Sequence, residues 1–233
     1  MHIRVTDEQL ADINGGLKWI MFQRDGAGRM VGGGSWDYPL VDTRLQLLLD
    51  RLGASGIAGL RVLEPGCLDG HITVGLCGAG ADVTAFDVRP SCVIKTFARC
   101  LAFDFHPRLL LYDARRMADL GTFDLVYHSG VFYHLENPVE HFRSIAGMAS
   151  RMAFDTHTAR PNEPIDVVDG YQGCWAGEFG WQDEQSGVGP RSFWLTRPEL
   201  FRLFAECGFA YERLWQDDAA PNGPRGFYLL TRL

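Results

Sequence analysis

The sequence predicts an α/β protein built on a mostly parallel sheet, and three observations carry the prediction. From Arg61 onward short apolar runs alternate with helix-patterned stretches, and the first three runs each finish at an acid, Glu64, Asp87 and Asp113. The chain of 233 residues, 46% hydrophobic and 22% charged, has the size and composition of one globular domain with modest additions.

The elements follow in order. Leu10, Ile13, Leu17 and Ile20 or Met21 stand at helical spacing and predict a helix over residues 7–22, followed by the glycine-rich stretch Asp25–Ser35, read as mobile. A second helix is expected over Leu40–Leu52, ending near Gly53. Strands are expected at Arg61–Leu63, Asp82–Phe86, Arg108–Leu111, Phe123–Tyr127 and Met152–Phe154, with helices near 71–79, 90–102 and 138–149. This alternation implies right-handed crossovers and parallel pairing.

Residues 158–193 break the pattern with Pro161, Pro164 and Pro190, yet hold Tyr171, Trp175, Phe179, Trp181 and Phe193, with Trp194 beside them. A segment so aromatic is expected to pack rather than to link. Helix Arg197–Cys207 ends at Gly208, and Phe209–Trp215 and Phe227–Thr231 close the sheet around the turn Pro221–Pro224. The expected organisation is N-terminal helices with a Gly-rich lid over 1–56 and a main domain over 57–233 carrying an insertion at 158–193.

Bulk properties narrow the function. Nothing approaches the roughly 18 uninterrupted apolar residues of a membrane span, and the polar start carries no signal-peptide core, so a cytoplasmic protein without membrane contact is expected. A net charge of −7 with no Lys/Arg run weighs against a nucleic-acid partner. Cysteines 67, 77, 92, 100, 174 and 207 show no CxxC pair and read as reduced structural thiols.

In a doubly wound sheet a ligand lies at the carboxyl ends of the strands, which directs attention to the turn Glu64-Pro-Gly-Cys-Leu-Asp-Gly70. Gly66 lets backbone pass close to a ligand, and Gly70 lets the next helix start close to the strand. Glu64 discriminates among nucleotides. Its carboxylate would repel the pyrophosphate of NAD or FAD, whereas S-adenosylmethionine offers an ammonium and a sulfonium. Asp87 is placed to accept from ribose hydroxyls, and Asp113 from an adenine amino group.

These residues resemble the class I S-adenosylmethionine-dependent methyltransferases. Leu63–Gly70 looks like their first motif, Val83–Asp87 like the second-strand acid, Asp113-Ala114 like the adenine motif, and Phe123–Pro138 like the fourth strand and its loop. Leu68 stands where a middle glycine is usual, as in a subgroup with a Gly-Cys-Leu-acid-Gly first motif. The resemblance implies a Rossmann-like, doubly wound, mostly parallel seven-stranded sheet with the last strand antiparallel. It also implies that Glu64, Gly66, Cys67, Gly70, Asp87, Val88, Asp113 and Ala114 line S-adenosylmethionine, completed by Ser129 and Gly130. The Gly-Val-Phe-Tyr-His-Leu segment is similar to the loop of tRNA wobble-uridine carboxymethyl transferases.

Methyl transfer is an in-line displacement in which positioning supplies most of the acceleration, with a base needed for a hydroxyl or protonated amine. His157, which Asp155 could orient, is the first candidate base. His134 is the second, in a catalytic or positioning role, and His128 reads as a structural cap. His128, His134, Asp155 and His157 could also ligate a metal, but their spacing matches no recognised pattern and none is expected. Tyr38, Tyr133, Tyr171 and Trp194 are the candidate acceptor contacts, and the Gly-rich stretch a lid that orders on cofactor binding. A small-molecule acceptor is the leading expectation. An RNA-modifying alkyltransferase and a non-catalytic cofactor-binding protein are the alternatives.

Overall fold

A computed structural model describes residues 5–53, 56–163 and 165–233. Pro164 of the expected insertion and residues 1–4, 54 and 55 of the expected N-terminal portion lie outside them. The chain forms two compact units, Met1–Asp113 and Ala114–Leu233.

The first unit runs α1 (Asp7–Gly16), β1 (Met21–Arg24), β2 (Met30–Gly32), β3 (Trp36–Asp37), α2 (Thr43–Leu52), β4 (Arg61–Pro65), α3 (His71–Gly78), β5 (Asp82–Asp87), α4 (Pro90–Ala102) and β6 (Arg108–Leu111). Thr6 starts α1 with a reciprocal cap to Gln9, and Asp42 starts α2 by accepting from the Leu45 amide. The helix expected to reach residue 22 stops at Gly16. Two glycines end α1, Leu17 is extended, and Trp19, Met21 and Gln23 turn inward at the period of a strand.

The glycine-rich stretch is not a loose connection in this structure. Asp25 caps its turn by accepting from the Ala27 and Arg29 amides, and β2 then pairs antiparallel with β1, with β3 on the other side. Val5, Leu10, Val31 and Ala102 form a small core that joins α1 and β2 to α4.

The second unit runs β7 (Leu125–Ser129), a short turn of helix at Phe132–His134, α5 (Pro138–Ile145), β8 (Arg151–His157), β9 (Asp166–Val168), β10 (Tyr171–Gly177), β11 (Arg191–Leu195), α6 (Arg197–Glu206), β12 (Phe209–Asp217) and β13 (Arg225–Arg232). Pro138 and Pro198 enter α5 and α6 in their first turns, where no N–H is lost. Phe132, Phe142, Phe154, Phe204 and Phe209 are buried together as the main core. The expected insertion is a three-stranded antiparallel sheet, β11-β10-β9.

The large sheet has seven strands in the order β12-β13-β8-β7-β4-β5-β6. Pairs β4/β5, β5/β6 and β7/β8 are parallel, and β13 runs antiparallel to both β8 and β12, so the expected sheet and its reversed last strand are present. Among the described residues no helix is long and apolar enough to cross a membrane.

Candidate functional site

In the first unit the turn after β4 is built from left-handed backbone. Gly66, Leu68 and Gly70 have φ of 69°, 53° and 80°. Leu68 therefore adopts the conformation a glycine would take at that place, and the departure from the usual motif leaves the turn's course intact. Thr96 Oγ1 donates to the Leu68 carbonyl at 3.4 Å, and the Leu68 amide donates to Asp87 Oδ2 at 3.1 Å. Replacing Leu68 with glycine is expected to shift stability by less than about 1 kcal/mol, since relieved strain offsets lost side-chain packing. Valine, β-branched in left-handed backbone, should cost roughly 1–3 kcal/mol in urea unfolding.

Gly70 is required for a reason the sequence did not reveal. A Cβ there would lie 2.8 Å from Thr96 Cα, so the glycine lets α4, rather than only α3, approach the turn.

Asp87 is buried at the end of β5, and the Arg89 amide holds its other oxygen at 2.9 Å. The two amides thus hold the carboxylate in one orientation at the end of the strand, where a ribose diol would meet it. Glu64 is buried and accepts from Thr73 Oγ1 at 2.7 Å. Burial is the main cause that pushes its carboxyl up to about 8, with the Asp87 charge adding to it and the Thr73 hydroxyl opposing. Burial thus favours the protonated form of Glu64, and an ammonium brought against it would favour the carboxylate.

Cys67 is buried, and Val88 and Asp113 are half-buried. Tyr38, expected against an acceptor, has its hydroxyl donating to Asp42 at 3.0 Å and accepting from Arg44 at 2.9 Å. Its ring meets His71 edge-on, with centroids 4.5 Å apart.

Behind the turn lies a network the sequence did not disclose. Arg99 of α4 is fully buried and donates to the Asp69 carbonyl at 2.6 Å, Met21 O at 2.7 Å, and Val31 O and Gln23 Oε1 at 3.1 Å. Asp69 accepts from the Ile20 and Met21 amides, and Arg99 Nη2 lies 3.4 Å from its carboxylate. The cofactor-type turn and the N-terminal strands are therefore one hydrogen-bonded assembly.

The second unit holds the candidate catalytic groups. Strand β8 continues through His157, beyond the expected end at Phe154, which puts Asp155 and His157 on one face but with different partners. Asp155 is taken by a two-pronged ion pair from Arg225 at 2.9 and 2.5 Å, and Ser129 Oγ donates to it at 3.1 Å. The expectation that Asp155 orients His157 is overturned. His157 Nδ1 instead lies 2.9 Å from the Gly223 carbonyl, which can only accept, so Nδ1 carries the proton and Nε2 the lone pair. Burial, then the charge of Arg225, lowers the His157 pKa and keeps the ring neutral.

His134 Nδ1 lies 3.0 and 3.1 Å from the two oxygens of Glu178, which fixes the same tautomer. Burial works against the Glu178 charge, but His134, Ser186 and Ser192 outweigh it and hold its pKa at about 2. Tyr133 joins the two histidines, its ring centroid 4.2 Å from His134 and 4.6 Å from His157, while Trp194 stacks on His157 at 5.2 Å.

The remaining expected residues divide. His128 is buried, with Nε2 2.9 Å from His141 Nε2, in keeping with a structural place. Gly130 has a φ of 75°, and Ala114 opens the helical turn 114–120. Tyr171 departs from the expected acceptor wall. Its hydroxyl donates to Glu206 and accepts from Arg143, and Arg202 covers its ring at 3.9 Å, so it ties the small sheet to α5 and α6. Among the described residues no group of three or more His, Cys, Asp or Glu is arranged to hold a metal ion.

The fold is Rossmann-like, of the kind found in class I S-adenosylmethionine-dependent methyltransferases. Residues 40–214 match the family described as Methyltransferase domain, well over half of the chain, and the chain belongs to that family. Among curated relatives, the tRNA U34 carboxymethyltransferase of Aeromonas salmonicida is 32% identical over 95 residues, 39% of this chain and 29% of that protein. The same enzyme from Serratia proteamaculans is 31% identical over 91 residues, 37% and 28% of the two chains. The matched part is thus less than a third of the length of these relatives.

Among solved structures, the N-terminal domain of EvdMO1 with SAH bound has a TM-score of 0.74 at 20% identity, covering 97% of this chain and 94% of that one. Magnesium protoporphyrin IX methyltransferase from Synechocystis PCC 6803 with bound SAM has a TM-score of 0.58 at 15% identity, covering 83% and 78%. Both likenesses are of fold.

Proposed function

We propose that the chain transfers the methyl group of S-adenosylmethionine to a hydroxyl oxygen or amine nitrogen of a small-molecule acceptor in the cytoplasm. The cofactor supplies an electrophilic methyl carbon on a sulfonium. Asp87, buried at the end of its strand and oriented by the Leu68 and Arg89 amides, is placed to accept from its ribose diol, and this observation carries the cofactor assignment. Glu64 answers its ammonium, the backbone at Gly66, Cys67 and Gly70 gives it a close approach, and Val88, Asp113 and Ala114 receive the adenine. Ser129 and Gly130 are assigned to the same ligand by the resemblance of their loop to the family's.

For the acceptor, two imidazoles whose Nδ1 atoms are engaged by acceptors flank Tyr133, each leaving Nε2 available. His134 suits the base role better than His157. An imidazolium at His134 would face the carboxylate of Glu178, whereas one at His157 would face a neutral carbonyl and the charge of Arg225, which outweighs that of Asp155. Trp194 and Tyr133 give the acceptor apolar faces. The EvdMO1 domain has also been solved in the presence of SAH and D-fucose, which makes a sugar hydroxyl a sensible first probe.

Calorimetry on the full chain should show binding of S-adenosylhomocysteine and none of NAD. Binding of NAD alone would sink the cofactor reading. Methyl transfer from labelled S-adenosylmethionine is then expected onto hydroxylated small molecules, D-fucose first. The tRNA U34 relatives favour a second reading, an RNA-modifying transferase. Tight tRNA binding that weakens steeply with salt would replace the small-molecule assignment, against which the net charge of −7 weighs.

A further inference from the structure

Glu178 directly follows β10, in the loop that leads to β11 of the small sheet, and its carboxylate is held by several donors. The Gly187 amide donates to Oε2 at 2.6 Å and Ser186 Oγ at 2.5 Å, while both oxygens lie against His134 Nδ1. Its side chain is 5% exposed and that of His134 is 20% exposed, so the carboxylate is enclosed while the imidazole keeps an open edge. The same loop is fitted to the histidine's backbone. A Cβ on Gly187 would come 2.6 Å from the His134 carbonyl, and the Phe193 amide donates to the Leu135 carbonyl at 2.9 Å.

We infer that Glu178 is a positioning residue for His134, the two forming a carboxylate–imidazole pair in which the small sheet supplies the acid and the loop after β7 supplies the base. The inference rests on the methyltransferase reading above for its chemistry, and on the geometry alone for the pairing. An acceptor-only carboxylate at Nδ1 keeps the proton there, aims the ring and leaves Nε2 to the acceptor. In the step this serves, the acceptor's O–H proton passes to His134 Nε2 and the oxygen's electron pair forms the bond to the methyl carbon. The carbon–sulfur pair returns to sulfur. The products are a methyl ether, S-adenosylhomocysteine and an imidazolium whose Nδ1–H faces Glu178, and the proton is then lost to water. The small sheet is thereby part of the catalytic apparatus rather than a decoration of the fold.

The test needs no identified acceptor. In full-length chain labelled with 15N-histidine, assigned through His134→Gln, the His134 signal is expected to show a protonated Nδ1 and a bare Nε2. Glu178→Gln should mix the tautomers and slow carbethoxylation of His134 by diethyl pyrocarbonate about tenfold. Ser186→Ala removes a different donor from the same carboxylate and should change that rate by less than about twofold. Equal effects of Glu178→Gln and Ser186→Ala, or no effect of Glu178→Gln, would overturn the pairing. Should Glu178→Gln not fold, a wild-type His134 with an unprotonated Nδ1 overturns it equally. S-adenosylhomocysteine affinity is measured on the same samples. Its absence in the wild type defeats the methyltransferase reading while the tautomer still decides the pairing.

Discussion

Arg99→Met should destabilise the protein by roughly 3–5 kcal/mol, because it strands a buried carboxylate and several buried carbonyls at once. Arg99 and Asp69 are both fully buried, and the guanidinium spends its donors on Asp69, Met21, Val31 and Gln23 under the ring of Trp19, 4.9 Å away. Lysine cannot replace it, since a single ammonium does not reach four acceptors set out in a planar fork. Gly32 reports the same tightness: its φ is 97°, and a Cβ there would lie 2.6 Å from Met21 O and 2.8 Å from Arg99 Nη2.

The double variant Arg99→Met with Asp69→Leu should recover part of the loss in urea unfolding, as expected when the cost is an unpaired buried charge. Full additivity of the two single changes would show that the ion pair is not the cause. Hydrogen exchange in Arg99→Met should accelerate first at Met21 and Val31, whose carbonyls lose their donor. Because Asp69 stands inside the turn Glu64–Gly70, the same variant should weaken S-adenosylhomocysteine binding as well.

What the sequence disclosed and what it hid divide along a physical line. Strands such as Asp82–Asp87 and helices such as Pro90–Ala102 are written locally, in apolar periodicity, a terminal acid and an entering proline. Strand β1 was hidden because Leu17, Ile20 and Met21 satisfy a helical period, while the residue that settles its direction, Gln23, is polar. Its amide is buried and donates to the carbonyls of Pro39 and His71, partners no local pattern announces.

The site shows the same division. The acids at successive strand ends are legible because topology puts strand ends together, and the histidines because His suits the chemistry. Their partners are not. Arg225 reaches Asp155 across 70 residues and Glu178 reaches His134 across 44, so only the fold could redirect Asp155 from catalysis to an ion pair and bring Glu178 forward. Leu68 was visible as a departure, but its left-handed φ, which makes it harmless, was not.

Glu64→Gln is expected to raise stability at alkaline pH, an unusual outcome for a residue assigned to ligand binding. The carboxyl titrates near 4.5 in an unfolded chain and is pushed up to about 8 in the folded one, first by burial. A raised folded pKa means that the folded state keeps a proton the unfolded state has released. Stability contributed by this group is therefore unaffected below about pH 4.5, falls as pH rises towards 8, and is lowest above it. A shift of this size corresponds to at most about 5 kcal/mol. Glutamine keeps an acceptor for Thr73 and has no proton to lose, so the variant and the wild type should match near pH 4.5 and separate by pH 8 in urea unfolding. Parallel curves across that range would show that Glu64 ionises without hindrance.

The strained proton also gives the proposed cofactor a signature. An ammonium brought against Glu64 favours the carboxylate and lowers its pKa, so binding near pH 7 should release close to one proton. Calorimetry in buffers of different ionisation enthalpy reads that proton directly, and in Glu64→Gln it should vanish while affinity falls. Equal proton release by both proteins would remove Glu64 from the cofactor's ammonium and leave Asp87 as the acid that selects the ligand.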